Sequence, residues 1–391
     1  MKKKSASVAV VLVLALVGGG AVLATDVLPN ETDSPESADN TDPGHLDPGD
    51  TDPGTTVIDG NGMSIHFLEL GTKYTGDCVF IDYGDIDILI DAGSKTASSP
   101  TIINYIRPYI QDNKIEYVIA THAHEDHISG FYSTKTTTGV LDAFEIGTII
   151  DYPRSDNSTL TSAGNLTVRG NYETTRDKLV AEDGTAHYTA LQCYNNEDGA
   201  QRVYELGPGV TMEVLYQPFY EKKATTENNY SVCIMITENG KQYLFTGDLE
   251  KAGEDAMVDF YKNDRGGLGH CVLYKGGHHG SSTSSNIKLL DAITPDYVII
   301  CTCAGSPEYS STKSNQFPTQ EFINRIASYT DKVYITTLMV DFSKGVYESF
   351  NGNVIFSVKD GEPTVTCSGS DKVLKDTDWF KENRAAPAAW T

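Results

Sequence analysis

From Ser64 to Leu70 the chain reads Ser-Ile-His-Phe-Leu-Glu-Leu, with apolar and polar residues taking turns. That period of two predicts a strand with one buried face. Cys78–Asp82 and Ile86–Ile90 read as the next two strands, and the second ends in Asp91-Ala92-Gly93. Ile102–Ile110 has helical spacing. Tyr117-Val118-Ile119-Ala120 is a short, fully apolar strand, and a histidine-rich segment follows at once. A helix is predicted just after Gly130, and Thr148–Ile150 is another buried strand. Residues 154–201 are polar and carry one helical pattern, Thr174–Ala181. Strands resume at Met212–Tyr216, Val232–Thr237, Gln242–Phe245, Val272–Tyr274 and Tyr297–Cys301, with a helix over Ile287–Ile293. A helix at Gln320–Ala327 precedes strands at Lys332–Thr336 and Asn353–Val358. Strands dominate early and helices intervene later, which predicts an α/β protein of two packed sheets flanked by helices.

The two ends of the first 56 residues differ from this pattern and from each other. Met1-Lys2-Lys3-Lys4 is basic, Val8–Val17 is apolar, and small residues lead to Val22-Leu23-Ala24. Basic start, short apolar core and small residues before a polar turn predict a signal peptide over 1–24. An uncleaved membrane anchor is the rival, since Ser5–Ala24 is just long enough to span a thin bilayer. Glycines at 18–20 weaken a membrane helix and favour cleavage. Residues 25–56 hold nine acids, no Lys or Arg, and Asp-Pro-Gly at 42–44, 47–49 and 52–54. Such a stretch cannot bury enough surface to offset its ordering entropy, so it reads as a solvated spacer rather than a metal-binding tract. Both readings of the N-terminus place residues 57–391, the one folded domain, outside the cytoplasmic membrane: secreted, or tethered through the N-terminal segment.

The formal net charge of −24 disfavours a stable nucleic-acid complex, which needs a basic footprint. Seven cysteines exclude a fully paired disulfide framework. Cys78, Cys233, Cys271, Cys301 and Cys303 sit in or beside apolar strand-like runs and read as small buried hydrophobes. Cys301-Thr302-Cys303 is a weaker candidate for a soft metal pair, and Cys193 and Cys367 stay open as a pair.

Chemistry concentrates after Ala120. Thr121-His122-Ala123-His124-Glu125-Asp126-His127 places two histidines at i and i+2, on one side of an extended segment, before an acid and a third histidine. Four nitrogen and oxygen ligands within six residues suit one or two divalent ions of the zinc or manganese kind.

His-X-His-X-Asp-His after a strand resembles the signature of the metallo-β-lactamase superfamily, whose fold is an αββα sandwich. Further segments fit in order. Phe67-Leu68-Glu69-Leu70-Gly71 with Gly76-Asp77 matches an opening strand and loop. Leu89-Ile90-Asp91-Ala92-Gly93 resembles the segment whose aspartate orients the histidines. Phe245-Thr246-Gly247-Asp248 looks like the motif of the bridging carboxylate, and Gly277-His278-His279-Gly280-Ser281-Ser282 like the late histidine motif. The double histidine with Gly-Ser-Ser, and the turn Asn228-Asn229-Tyr230-Ser231, resemble ComEC-type competence hydrolase domains and secreted phosphorylcholine esterases. The chain departs from these groups twice. Glu227-Asn228-Asn229 stands where many relatives carry a third histidine for metal 1, and Phe317-Pro318 stands where competence-type domains carry His-Pro. The only histidine between 127 and 248 is His187, read as surface; His45, His66 and His270 read as packing or surface.

The resemblance implies two divalent ions, zinc first and manganese second, held by His122, His124, Asp126, His127, Asp248 and His279. Asp126 and His278 would be catalytic, the first accepting a hydrogen bond from a metal-bound hydroxide and the second facing substrate. The order of His278 and His279 stays open. Asp91, Asn229, Lys275 and Ser281 are candidates for orienting ligands or binding substrate. A solvated lysine and a helix-capping serine are the plain alternatives for the last two. The expected activity is phosphoester cleavage on a wall polymer, nucleic acid or lipid head group. Amide or ester hydrolysis, including β-lactams, and a non-catalytic metal-bearing surface module are the competing classes.

Overall fold

The computed structural model describes residues 62–70, 76–341 and 344–391. The proposed signal peptide and acidic linker, with His45 and Gly71, lie outside the described residues.

The first sheet is built from β1 (Ser64–Phe67), β2 (Val79–Tyr83), β3 (Ile86–Ile90), β4 (Lys114–Ala120), β5 (Glu145–Asp151) and β6 (Ala186–Thr189). The second takes β7 (Val203–Gly207), β8 (Val210–Leu215), β9 (Cys233–Glu238), β10 (Lys241–Phe245), β11 (Leu273–Lys275), β12 (Tyr297–Ala304), β13 (Val333–Asp341) and β14 (Val346–Ser349). The chain then returns to the first sheet with β15 (Val354–Lys359) and β16 (Glu362–Cys367). The strand orders are β16-β15-β1-β2-β3-β4-β5-β6 and β14-β13-β12-β11-β10-β9-β8-β7, eight strands each. β3 to β6 run parallel, as do β10 to β13, and the remaining pairings are antiparallel. The two mixed sheets with flanking helices form the metallo-β-lactamase fold.

Parallel neighbours need crossovers, and the helices supply them. They are α1 (Ser99–Ile106), α2 (Glu125–Ile128), α3 (Val140–Ala143), α4 (Val168–Glu182), α5 (Ala190–Asn195), α6 (Lys251–Arg265), α7 (Ile287–Ile293), α8 (Gln320–Ile326) and α9 (Asp378–Asn383). Alternation along the strands decides which layer each side chain joins. Tyr243, Phe245, Leu273, Ile299 and Cys301 face the first sheet and pack with Phe67, Ile81, Ile119 and Phe356. Leu244, Tyr274, Val298 and Ile300 point the other way, onto Met257 and Tyr261 of α6, Leu290 of α7 and Phe322 of α8.

Several expectations shift. The helix expected just after Gly130 lies earlier, at Glu125–Ile128, and irregular chain follows it up to α3. Gly130 is pressed so close to Ala92 that a Cβ would stand 2.3 Å from its carbonyl oxygen, which fixes a close crossing there. The helix expected at Thr174–Ala181 extends over Val168–Glu182, and α6 was not foreseen. No disulfide joins any of the seven cysteines, six of them buried, so Cys193 and Cys367 do not pair. Cys301 and Cys303 lie buried in β12 as ordinary core residues. Among the described residues no helix is long and apolar enough to cross a membrane.

Candidate metal centre

Because β3, β4, β10, β11 and β12 end at one edge, the loops that leave them meet there, where open parallel sheets commonly present ligand sites. From β4, extended backbone carries His122 and His124 to one side: Nε2 of His122 lies 2.9 Å from Nδ1 of His124. The far nitrogen of His122 faces the hydroxyls of Thr121 at 3.1 Å and Ser231 at 3.4 Å. The short α2 then turns Asp126 and His127 toward a second position. Gly93 lets this turn close, since a Cβ there would come within 2.5 Å of the Asp126 carbonyl oxygen.

His127 is buried and held from behind. Its Nδ1 is 2.7 Å from Oδ2 of Asp91, whose two oxygens also accept from the Thr121 amide and hydroxyl at 2.8 Å. Its Nε2 points at Oδ2 of Asp248, 3.2 Å away. His279 mirrors this arrangement. Nδ1 sits 3.0 Å from the Cys301 carbonyl oxygen and 3.1 Å from Asp77, while Nε2 lies 3.3 Å from Asp126 and 3.5 Å from Asp248. A carboxylate behind each imidazole sets the ring's tautomer and direction, as in metal sites generally. Asp77, His127, Asp248 and His279 offer ligand atoms all within 4.8 Å of one another. Asp77 nevertheless meets the Nδ1 sides of both rings, 3.8 Å from His127, so it stands behind the centre rather than in it.

Whether these residues suit a cation is answered by the atoms they leave over. Nε2 of His127, Nε2 of His279 and Oδ1 of Asp248 are buried and form no aligned hydrogen bond. Such atoms are costly to leave in that state, and a divalent ion among them would satisfy all three. The charges agree. Burial pushes the Asp248 and Asp126 carboxyls up, but the neighbouring histidines override it and hold both well below the usual range. Burial depresses His127 and His279, yet Asp248 with Asp91 or Asp77 outweighs it, raising His127 well above its ordinary value and His279 to about 10. These shifts describe imidazoles and carboxylates that balance one another through protons, the place a dication would take.

The late histidine segment resolves into two directions. Gly277–Gly280 forms a short 3-10 turn in which His278 has φ 45° and His279 φ 53°. That backbone sends His279 inward, fully buried, and leaves His278 at the mouth. There its Nε2 is 3.7 Å from Asp248, and its Nδ1 is 2.8 Å from the Thr283 hydroxyl and 3.5 Å from the Asn228 amide nitrogen. Two consecutive left-handed residues are strained, so something must hold them. Glu254 of α6, fully buried, accepts from the amides of Ser285 at 2.6 Å and Asn286 at 2.8 Å and from the Asn286 side chain at 2.9 Å. Arg325 of α8 donates to the carbonyls of Ser282, Ser284 and Ser285.

Other expected residues land elsewhere. Lys275 is 2% exposed and ion-paired with Asp77, so it supports His279 from within instead of meeting a ligand. Asn229 is buried and braces the start of α6, accepting from the Glu250 amide and donating to Thr226; its neighbour Asn228 reaches the site. Ser281 accepts from the Thr283 amide and so closes its own turn, and its hydroxyl lies 3.1 Å from that of Thr283, which in turn meets His278. His187, expected at the surface, is half-buried on β6 and pairs with Asp151 at 2.9 Å. His66 is buried, as expected of packing. Where the third histidine was missing, Glu227 and Asn228 form a buried turn whose Oε1 and Oδ1 have no hydrogen-bond partner. Phe317 stands beside the late histidines, with its ring centroid 5.7 Å from that of His278. Glu254, Arg325 and Tyr309 carry no signal in the sequence, whereas Asp77 does, as an acid after Gly76 at the mouth of a strand.

Residues 71–143 match the sequence model of the family described as Metallo-beta-lactamase superfamily. That match spans about a fifth of the chain, and the buried Asp and His cluster on this fold is that of a metal-dependent hydrolase. Competence protein ComA of Neisseria gonorrhoeae is 31% identical over 118 residues, 30% of this chain and 16% of that protein. ComE operon protein 3 of Bacillus subtilis (strain 168) is 26% identical over 113 residues, 28% of this chain and 13% of the relative. The similarity therefore spans about a sixth or less of these curated relatives. The metallo-beta-lactamase fold protein YhfI of Bacillus subtilis superposes with a TM-score of 0.40 at 10% identity, covering 76% of this chain and all of that one.

Proposed function

We propose that the chain is an extracytoplasmic phosphoester hydrolase using two divalent ions, zinc in the first place. One ion would be held by His122, His124 and Asp248, the other by Asp126, His127, Asp248 and His279. The observation that carries this reading is the convergence of His127, His279 and Asp248 on one point through buried atoms with no hydrogen-bond partner. Bound there, the ions supply positive charge for a phosphoryl oxygen and a water whose pKa falls to about 7. The chain's own residues do the rest. Asp126, at the edge of the cluster, accepts a hydrogen bond from the attacking water and keeps it oriented. Water adds to phosphorus and releases one proton to solvent, the ester P–O bond breaks, and His278 at the mouth delivers a proton to the departing alkoxide oxygen and regains one from solvent. The donors around that mouth, His278 and the Asn228 amide, suit an anionic, oxygen-rich group. The acidic surface favours a small or wall-bound substrate over long nucleic acid, and the N-terminal pattern supports placement outside the membrane.

The test is hydrolysis of bis-p-nitrophenyl phosphate, p-nitrophenylphosphorylcholine and nitrocefin by the full chain with zinc or manganese, beside His124→Ala and Asp248→Ala. Phosphoester turnover abolished in both variants is expected. Turnover of nitrocefin alone would replace the phosphoester reading with amide hydrolysis.

A further inference from the structure

Residues 305–319 leave the end of β12, pass over the metal centre and rejoin the fold at α8, carrying Tyr309 and Phe317 with them. The Tyr309 hydroxyl donates to Oδ2 of Asp126, the oxygen that also lies 3.3 Å from Nε2 of His279. Its ring stacks on Phe317, with centroids 5.0 Å apart and planes at 28°, and lies nearly parallel to His279 at 6.1 Å. Tyr309 is still 44% exposed, so one face is fixed by these rings and the other is open to solvent.

The loop is irregular, but it is tied down. Arg384, just past α9, packs over the Trp379 ring and donates to the carbonyls of Gln316 at 2.6 Å and Pro318 at 2.9 Å. Gln320 exchanges two hydrogen bonds with Ala385, and the Gly305 amide donates to the Phe317 carbonyl at 2.9 Å. A side chain on a loop held in this way is presented at a fixed place.

We propose that Tyr309 is a substrate-contacting residue, whose hydroxyl donates to a phosphoryl oxygen of the bound phosphoester. This rests on the phosphoester reading above. A cation taking the Asp126 oxygen competes for the lone pair on which the hydroxyl now rests. The ring stays packed against Phe317 and His279, so the hydroxyl remains in the mouth and turns to the anionic oxygen that arrives there. With His278 and Asn228 it makes a third donor to that oxygen's surroundings.

The full chain loaded with zinc, as wild type, Tyr309→Phe and Tyr309→Ala, tests this through zinc per chain, calorimetric affinity for inorganic phosphate, and kcat on bis-p-nitrophenyl phosphate. Tyr309→Phe keeps the ring and removes only the donor. It is expected to hold zinc as the wild type does, bind phosphate about tenfold more weakly and lose about 100-fold in kcat, as when one donor to a developing oxyanion is removed. Unchanged phosphate affinity in Tyr309→Phe would overturn the proposal, as would zinc lost in parallel with phosphate, which would make Tyr309 a support for Asp126. Phosphate binding that weakens in Tyr309→Phe, in a wild type that turns over no phosphoester, would uphold the contact while removing the phosphoester reading. A wild type that binds no phosphate would overturn the contact itself.

Discussion

Leaving β4, the chain positions His122, His124, Asp126 and His127 with extended and helical backbone that any residue adopts. Leaving β11, it positions His278 and His279 only by holding both in the left-handed region, at φ 45° and 53°. The first arrangement follows from a strand running into a short helix, supported by the Asp91 carboxylate behind His127 and the Thr121 and Ser231 hydroxyls behind His122. The second is imposed from outside by Glu254, Arg325 and the buried Lys275–Asp77 pair. Strain of this kind costs about 1–3 kcal/mol per residue and persists only where the surroundings over-determine it. Half of the centre is thus a product of local sequence, and half depends on residues far away in the chain.

The contrast can be broken most severely at Lys275. Lys275→Met leaves the buried Asp77 charge without its cation, with only the imidazoles of His279 and His127 beside it, and such a change costs about 3–5 kcal/mol. Urea unfolding should show a loss of that size, and a loss below about 1 kcal/mol would mean Asp77 has another way to neutralise. Glu254→Gln turns an amide NH2 toward backbone N–H donors. We expect about 2 kcal/mol lost in the same measurement, together with zinc binding weakened through His279. Asp91→Asn sharpens the other side: zinc affinity, read by chelator competition, should fall about 10- to 100-fold as the hold on His127 is relaxed. If Glu254→Gln left zinc affinity untouched while Asp91→Asn lowered it, the imposed half would be no more dependent on its clamp than the local half.

The smallest effect sits on β1. His66 is buried, with Nε2 2.7 Å from the Ser64 hydroxyl and Nδ1 2.9 Å from that of Tyr105, and burial lowers its pKa from 6.5 to about 3. Between those values the unfolded chain takes up a proton that the folded one refuses. Stability from this site is therefore complete above pH 6.5 and falls by about 1.4 kcal/mol per unit as the pH drops toward 3. From pH 7 to pH 6, unfolding experiments should show about 0.7 kcal/mol lost in the wild type and absent in His66→Gln. Equal slopes would assign the acid sensitivity to other groups.

The same division explains what could be read from sequence. The β4 motif was legible because its ligands are contiguous and the strand before them is apolar on both faces. The sheets were legible from their alternation. α6 was not, because its buried face includes Gly253 and Glu254 beside Met257, Val258 and Tyr261, which breaks the apolar stripe. Which of His278 and His279 turns inward depends on backbone angles that no pattern of residue types encodes. Tyr309 sits among serines, a proline and a glutamate, and its partner Asp126 is 183 residues away. Lys275 reads from sequence equally as a group steadying an anion and as a solvated lysine, because a buried lysine is rare without a partner and its partner Asp77 lies across the sandwich.

β1 is flanked by β2 on one side and by β15 on the other, with Ser64 opposite Ser357. In a chain made at about 5–20 residues per second, the first strand waits about 15–60 s for its second neighbour to be synthesised. During that interval its open edge can pair with another nascent chain as readily as with its own. A ribosome stalled before residue 354 would therefore hold a protein with its histidine motif complete and its first sheet unfinished, a substrate for chaperones before it is anything else.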